Sequence, residues 1–179
     1  LFESYKFYYK MIYRKMNLDI RAVRGPESER ILNDLYHENK KYVYGDPGIL
    51  LPMIYRPNIM KKYEFVEVCH YTNNLSEKTK TDGKIVSTLV DDWHTFIDEL
   101  LQANLIISKS LHGIILAEAY GIPAIMVRDT RAEFNMLKYR DYYYSTGRRK
   151  FPVADSFEQA LTMKPCELPN LEEMREKLI

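Results

Sequence analysis

Hydrophobic and polar residues alternate along this chain in short blocks, and the clearest block lies near its middle. An apolar run at Leu105–Ile107 gives way to the polar bend Ser108–Ser110, which is followed by an apolar stretch from Leu111 to Tyr120. That stretch is long enough for about three helical turns, and Gly121 stands where glycine commonly ends a helix. Ala124–Val127 is apolar again. The pattern predicts a strand, a bend, a helix and a second, parallel strand.

The same signals predict further elements on both sides of this block. Strand candidates are Asp19–Val23, Tyr42–Tyr44, Glu64–Cys69 and Ile85–Leu89. Helix candidates are Pro26–Tyr36, a helix opened by Asp91 and Asp92 with Trp93, Phe96, Ile97 and Leu100 on one face, Asp155–Met163 and Leu171–Leu178. Because five or six short strands alternate with helices, the sequence predicts a doubly wound, Rossmann-like α/β domain with a mainly parallel sheet.

A leading amphipathic helix is predicted over residues 1–17, where aromatic and aliphatic residues recur at three- and four-residue steps opposite lysine and arginine. We expect it to dock on the sheet or on a partner domain. The alternative is a basic, aromatic face that rests on anionic lipid. Because the chain begins at Leu1 inside this pattern, we expect it to be part of a longer protein.

Composition narrows the class of protein. The chain has 179 residues, of which 46% are hydrophobic and 28% charged, and this argues against disorder. Its net charge of +1 argues against binding of nucleic acid, which normally needs a basic excess. Cys69 and Cys166 lack the spacing of a zinc site or a disulfide framework, so we expect a reducing, cytoplasmic setting. No apolar stretch is long enough for a transmembrane helix.

The bend at Ser108–Ser110 is the first candidate for chemistry. It follows a strand and precedes a helix, where free backbone N–H groups and the helix dipole favour an anion. Lys109 adds a fixed positive charge, and His112 adds a side chain of the type that titrates near neutral pH. The alternative is that Lys109 is solvated and that His112 caps the helix or packs near the turn.

Two further candidates follow the predicted strands on the amino-terminal side. Arg24 lies at a strand-to-helix crossing, on the same sheet edge as Lys109 if both strands run the same way; the alternative is a surface ion pair. Asp46 lies in the tight turn Gly45-Asp46-Pro47-Gly48, where it can position a substrate hydroxyl or cap the turn. His70 directly follows another predicted strand.

Basic and aromatic residues are mixed after Val127, where they can bind phosphates and stack on rings or form a half-buried helix with a solvated rim. They are Arg128, Arg131, Phe134, Lys138, Tyr139, Arg140, Tyr142, Tyr143, Tyr144, Arg148 and Arg149. No metal site is predicted, because the histidines are scattered. They are His37, His70, His94 and His112.

Several blocks in this order resemble the polysaccharide pyruvyl transferases. They are Ile20–Pro26, Val43–Pro47 with Leu50–Pro52, His70-Tyr71, Ile107–Gly113 with Ala117–Pro123, and Lys138–Tyr143 with Ser145–Arg148. Together they cover about residues 18 to 149. The expected organisation is therefore one Rossmann-like domain over residues 1–179, with a leading helix at 1–17, a family-like core at 18–149 and closing helices at 150–179.

The resemblance implies a two-domain, glycosyltransferase-B-like architecture, of which this chain matches the C-terminal, donor-binding half while the N-terminal partner domain is absent. It implies transfer of pyruvate from phosphoenolpyruvate to two hydroxyls of a saccharide acceptor, giving a ketal in exopolysaccharide or cell-surface polysaccharide biosynthesis. No cofactor beyond the donor substrate is expected. A homodimer and association with the inner face of the membrane stay open.

The resemblance also implies roles for particular residues. His112 is expected to transfer a proton, with Arg24 and Lys109 as donor anchors. The other expected donor-binding residues are Ser108, Ser110, Leu111, Gly113, Asp46 and His70. Many family members carry arginine immediately before Leu-His-Gly, whereas this chain has Ser110 there and its basic residue, Lys109, one position earlier.

Two other functions stay open at this point. One is a nucleotide-sugar glycosyltransferase of the same architecture, in which Glu118 on the central helix contacts a ribose or sugar. The other is a non-catalytic half-domain that binds a partner or dimerises.

Overall fold

The computed structural model describes residues 18–69, 83–128 and 136–179. Its strands are β1 Ala22–Val23, β2 Val43–Tyr44, β3 Tyr63–Cys69, β4 Lys84–Ser87, β5 Ala103–Ser108, β6 Ala124–Val127 and β7 Val153–Ala154. Its helices are α1 Pro26–Tyr36, α2 Leu51–Ile54, α3 Trp93–Leu101, α4 Leu111–Ala119, α5 Met136–Ser145, α6 Phe157–Ala160 and α7 Glu172–Leu178, with a 3₁₀ helix at Pro47–Leu50.

The main sheet is five-stranded and parallel, in the order β4-β3-β5-β6-β7. Strand β6 shows how it is buried, because all four of its residues are inaccessible. Ala124 and Met126 face a larger core that holds side chains of α3, α4 and α5, while Ile125 and Val127 face a smaller core with α6. Burial on both faces explains why this strand is a continuous apolar run. The predicted Rossmann-like, doubly wound class is confirmed.

Strands β1 and β2 do not join that sheet. They pair with each other in parallel, Ala22 with Val43 and Val23 with Tyr44, as a separate two-stranded sheet. The predicted strand Asp19–Val23 is shorter in the structure, where β1 covers only Ala22 and Val23. Each strand ends close before a proline that starts a helix, Pro26 or Pro47, and pairing is therefore limited to two residues.

The predicted half-buried helix after Val127 is α5. Its tyrosines Tyr139, Tyr142 and Tyr143 lie in the larger core, whereas Arg140 is exposed. The short strand β7 was not predicted, because two residues carry no readable alternation. It lies directly before the expected helix Asp155–Met163, which is shorter in the structure: Ser156 caps α6, and the helix extends only from Phe157 to Ala160.

A buried ion pair ties α4 to the segment after α5. Arg148 donates to both carboxylate oxygens of Glu118 at 2.6 and 2.7 Å, and the Tyr142 hydroxyl donates to the same carboxylate at 2.7 Å. Burial alone lowers the pKa of Arg148, but the hydrogen bonds and charge of Glu118 raise it overall. Burial, followed by the Glu118 charge, raises the pKa of Tyr142 well above its usual value.

The predicted leading helix at residues 1–17 lies outside the described residues and stays a prediction. Within residues 18–69, 83–128 and 136–179, no helix has both the length and the apolar character needed to cross a membrane.

Replacing Arg148 with Met should lower the free energy of unfolding by about 3–5 kcal/mol, because the Glu118 charge stays buried without its partner. Adding Glu118→Gln should recover part of the loss. Urea denaturation measures both. Lys177→Met is the control, since its pair with Glu173 is exposed and should cost less than about 1 kcal/mol. Equal losses in the Arg148→Met and Lys177→Met variants would contradict this interpretation.

Candidate functional site

The order of the strands points to one edge of the main sheet. From β3 the chain moves outward to β4, then returns to the other side of β3 and continues through β5, β6 and β7. The winding therefore reverses between β3 and β5. In sheets of this kind, ligands bind in the crevice outside the carboxyl ends of the strands at the reversal. The bend Ser108–Ser110 follows β5 at that edge, so the topology supports the predicted location.

Internal hydrogen bonds fix the bend. The Ser108 hydroxyl donates to the carbonyl of Ser110 at 2.8 Å and accepts from its amide at 2.9 Å. The Lys109 amide donates to the carbonyl of Val68 at 3.0 Å, and the Tyr139 hydroxyl donates to the carbonyl of Lys109 at 2.6 Å. These contacts hold the bend rigidly and use none of the amides in the first turn of α4.

The amino end of α4 is open. Ser110 is the N-cap residue, but its side chain makes no capping hydrogen bond. Within the described part of the chain, the amides of Leu111, His112 and Gly113 have no acceptor. Unpaired amides and the positive end of the helix dipole favour an anion here.

His112 is the one exposed residue of α4, whose other residues are buried or half-buried. Its side chain is 64% exposed, so the imidazole faces solvent at the bend and is not packed in the interior. A helix that is apolar all round belongs in a core, and a polar, exposed residue in its first turn is not needed for packing.

Arg24 and His112 meet at the buried carboxylate of Asp46. The Arg24 Nε donates to Asp46 Oδ2 at 3.1 Å, and His112 Nε2 lies 3.8 Å from the same oxygen. The other oxygen of Asp46 accepts from the amide of Gly48 at 3.1 Å, so Asp46 also caps its turn, as the alternative predicted. Three predicted site residues, which follow β1, β2 and β5, therefore lie together.

Asp46 orients the guanidinium of Arg24. Because the ion pair uses only Nε, the two terminal nitrogens of Arg24 have no partner among the described residues. Such a two-pronged end matches the geometry of a carboxylate or phosphate. The Arg24 side chain is 30% exposed, which leaves it accessible to a ligand.

Gly113 and Leu111 have packing contacts. A Cβ on Gly113 would meet the Ser108 Oγ, and would lie 3.0 Å from Val68 Cγ1. Leu111 is buried in the larger core. The missing side chain at Gly113 therefore lets α4 approach β3 and β5 closely; whether these residues also bind a donor stays a prediction, as it does for Ser108 and Ser110.

The side chain of Lys109 is directed away from this cluster. Its ammonium lies 5.0 Å from the ring centroid of Phe157, and Phe157 belongs to the smaller core on the opposite face of the sheet from α4. Neighbouring residues of an extended segment point to opposite sides, which explains the direction. The structure does not bring Lys109 together with Arg24 and His112, and its role as a donor anchor stays a prediction.

The other residues predicted to contribute to a site either contact partners elsewhere or lie outside the described residues. Arg128 pairs with Asp155 at 3.2 Å, and Arg149 stacks on Tyr144 at 4.5 Å. His70, Arg131 and Phe134 lie outside the described residues. In the described ranges, no three His, Cys, Asp or Glu side chains are grouped so as to hold a metal ion.

Glu118 lies in the last turn of α4, away from His112. It lines a cavity of about 290 Å³ together with Pro52, Arg56 and Arg175, but its two oxygens are taken up by Arg148 and Tyr142, as described above. A separation of six residues along a helix corresponds to about 9 Å. The cavity therefore belongs to a different place from the cluster around Asp46.

The amino end of α1, in contrast to that of α4, is closed. Asp141 of α5 accepts hydrogen bonds from the amides of Glu27 and Ser28. Asp141 lies in the family-like block Lys138–Tyr143, but no role was predicted for it, because no local pattern links it to positions 114 and 113 residues away.

Comparison with known proteins adds two findings. The family model described as polysaccharide pyruvyl transferase matches residues 3–130. The chain is also 30% identical over 142 residues to the uncharacterized protein L143 of Acanthamoeba polyphaga mimivirus, across 73% of this chain and 49% of that protein. The chain thus spans about half the length of this relative.

Replacing Gly113 with Ala should destabilise the protein by about 1–3 kcal/mol, although Gly→Ala in a helix is normally favourable, because the added methyl group overpacks against Ser108 and Val68. Thermal or urea unfolding checks this. Gly48→Ala is the control, since its nearest contacts would be at 3.3 and 3.4 Å, and we expect a smaller loss there. A Gly113→Ala variant as stable as the parent would contradict the packing interpretation.

Proposed function

This chain belongs to the polysaccharide pyruvyl transferase family, and from that membership we propose that it binds phosphoenolpyruvate for the transfer of pyruvate to a saccharide. The observation that carries the proposal is the meeting of Arg24 and His112 at Asp46, beside the open amino end of α4. Because the chain spans about half of its relative, the activity of the whole protein is part of the proposal. So are its exopolysaccharide or cell-surface pathway and its cytoplasmic setting.

The proposed reaction makes a ketal. The methylene carbon of phosphoenolpyruvate gains a proton and becomes a methyl group. The neighbouring carbon forms bonds to two sugar oxygens, and its bond to the phosphate oxygen breaks. Of the two protons that the sugar hydroxyls lose, one balances the proton gained by the methylene carbon and the other leaves with phosphate. Such a site has to bind two anionic groups, donate a proton and accept one.

The described residues match these tasks. The free prongs of Arg24 would bind the carboxylate, and the open amides of α4 would bind the phosphate. The exposed His112 lies in the first turn of α4, 3.8 Å from the Asp46 oxygen that pairs with Arg24, and would donate a proton to the methylene carbon or accept one from a hydroxyl. Asp46 would hold Arg24 and face His112 without contacting the donor.

The expected affinity is modest. Two charge-assisted hydrogen bonds from Arg24 contribute about 3–6 kcal/mol together, and the amino end of α4 adds about 0.3–2 kcal/mol. A dissociation constant of about 100 µM corresponds to roughly 5.5 kcal/mol. Since the costs of association reduce the sum, we expect binding at about this strength or weaker.

Replacing Arg24 with Ala should weaken phosphoenolpyruvate binding by at least about tenfold, because it removes both charge-assisted hydrogen bonds of the guanidinium and even one of them is worth about 1.5–3 kcal/mol. Isothermal titration calorimetry measures the dissociation constant. Arg30→Ala is the matched control, since Arg30 is an exposed arginine on α1 paired with Glu27 and Asp34, and it should leave the constant unchanged.

Thermal stabilisation by UDP-glucose and not by phosphoenolpyruvate would favour a nucleotide-sugar glycosyltransferase instead.

Replacing His112 with Asn should lower kcat for pyruvyl transfer by about 10²- to 10⁴-fold, the usual contribution of a general acid or base. The dissociation constant for phosphoenolpyruvate should change little, because the amide of residue 112 is retained. The kcat is measured with a preparation of the protein that catalyses pyruvyl transfer. The control is His94→Asn, a half-buried histidine in the first turn of α3. A near-parental kcat in His112→Asn would reject the assigned role.

A further inference from the structure

Asp141 of α5 closes the amino end of α1. Its Oδ1 accepts from the amides of Glu27 and Ser28 at 2.8 and 3.1 Å, and its Oδ2 accepts from the Ser28 hydroxyl at 2.5 Å. Asp141 is 2% exposed. A buried carboxylate with three donors and a helix dipole is held firmly, so these contacts fix α1 to α5.

The same contact sets the position of Arg24. Gly25, the N-cap residue of α1, lies so close to α5 that a Cβ there would meet the Asp141 carbonyl and would lie 2.7 Å from its Oδ1. The backbone between Arg24 and Pro26 therefore rests directly on Asp141. Any movement of this carboxylate moves the residue that carries the guanidinium.

Helix α5 also holds the other half of the site. Two residues before Asp141, the Tyr139 hydroxyl donates to the carbonyl of Lys109 in the bend at 2.6 Å. Residues two apart on a helix point about 200° away from each other. Helix α5 thus lies between the turn that carries Arg24 and the bend that precedes α4. Because it contacts both, it sets the distance between them.

We propose that Asp141 is a positioning residue for donor binding, which acts through Arg24 and does not touch the donor. This inference rests on the proposed function. Asp141 keeps Arg24 where its free prongs and the open amides of α4 can engage one small dianionic molecule together. Residues 136–145 lie beyond residues 3–130, which the family model matches, so the contacts of the fold, and not that match, assign this role.

The test compares two buried carboxylates that serve α1. Asp141→Asn removes the charge at the end of α1 and a hydrogen-bond acceptor of Ser28. Glu29→Gln is the matched control, because Glu29 is 7% exposed and binds Lys41, the amide of Tyr42 and the side chain of Tyr44, with no hydrogen bond to Arg24 among the described residues. In the full chain, titrated with phosphoenolpyruvate, we expect Asp141→Asn to raise the dissociation constant at least about tenfold. Glu29→Gln should leave the dissociation constant unchanged, although it should lower Tm by a similar amount.

A double-variant cycle separates positioning from general stability. If Asp141 acts through Arg24, the effect of Asp141→Asn on affinity should largely disappear in an Arg24→Ala background, whereas independent effects would add. Ligand-detected NMR at high phosphoenolpyruvate concentration can follow such weak binding. Should Asp141→Asn fail to fold, Ser28→Ala removes a single hydrogen bond and should give a smaller loss of affinity with the same dependence on Arg24.

The outcomes are distinct. No binding of phosphoenolpyruvate by the unsubstituted chain would overturn the proposed function, and the inference with it. Binding by the unsubstituted chain, with Asp141→Asn behaving like Glu29→Gln, would overturn the inference alone. An undiminished effect of Asp141→Asn, or of Ser28→Ala in its place, in the Arg24→Ala background would overturn it as well.

Discussion

The site depends on a carboxylate that is buried and therefore has to be paired. Asp46 is 6% exposed, and a charge in such a place is costly unless hydrogen bonds and an opposite charge compensate it. The amide of Gly48 and the guanidinium of Arg24 provide both. In meeting this requirement the fold brings the turn after β1 to the turn after β2, and both to the exposed imidazole at the start of α4. The need to compensate a buried charge thus produces the geometry on which the proposed donor site rests.

Helices α1 and α4 both start at this site, but the amides of their first turns differ in whether they have an acceptor. The amino end of α1 receives a carboxylate from within the protein, Asp141, and is therefore not open to a ligand anion. The amino end of α4 starts at Ser110, whose hydroxyl leaves the first-turn amides open. An unpaired helix end costs stability, and the tight core around α4 offsets that cost. In the proposed function, structural support and donor binding are therefore divided between these two helices.

The sequence predicted what depends on local pattern and on the rules of parallel sheets. The bounds of α1 and β6 and the left-handed Gly121 after α4 follow from strand ends and helix starts. The expected shared sheet edge of Arg24 and Lys109 was wrong, because β1 and β2 form a separate sheet, and it is packing that brings Arg24 to Asp46 and His112. The separate sheet of β1 and β2 could not be predicted, since two-residue strands carry almost no periodicity. Asp141 could not be predicted either, because its partners are distant in sequence and only packing brings them together.

The direction of Lys109 changes how the site has to work. With that ammonium over Phe157, the bend itself places no cation beside His112. Among the described residues, the positive charge at this cluster then comes from two sources. One is Arg24, which Asp46 largely balances, and the other is the amino end of α4, which counts for about half a charge. A donor with a carboxylate and a phosphate carries more negative charge than this. Binding by the described residues therefore has to rely on oriented hydrogen bonds more than on net charge, and the positions of Arg24 and of the α4 amides matter more than the number of basic residues nearby.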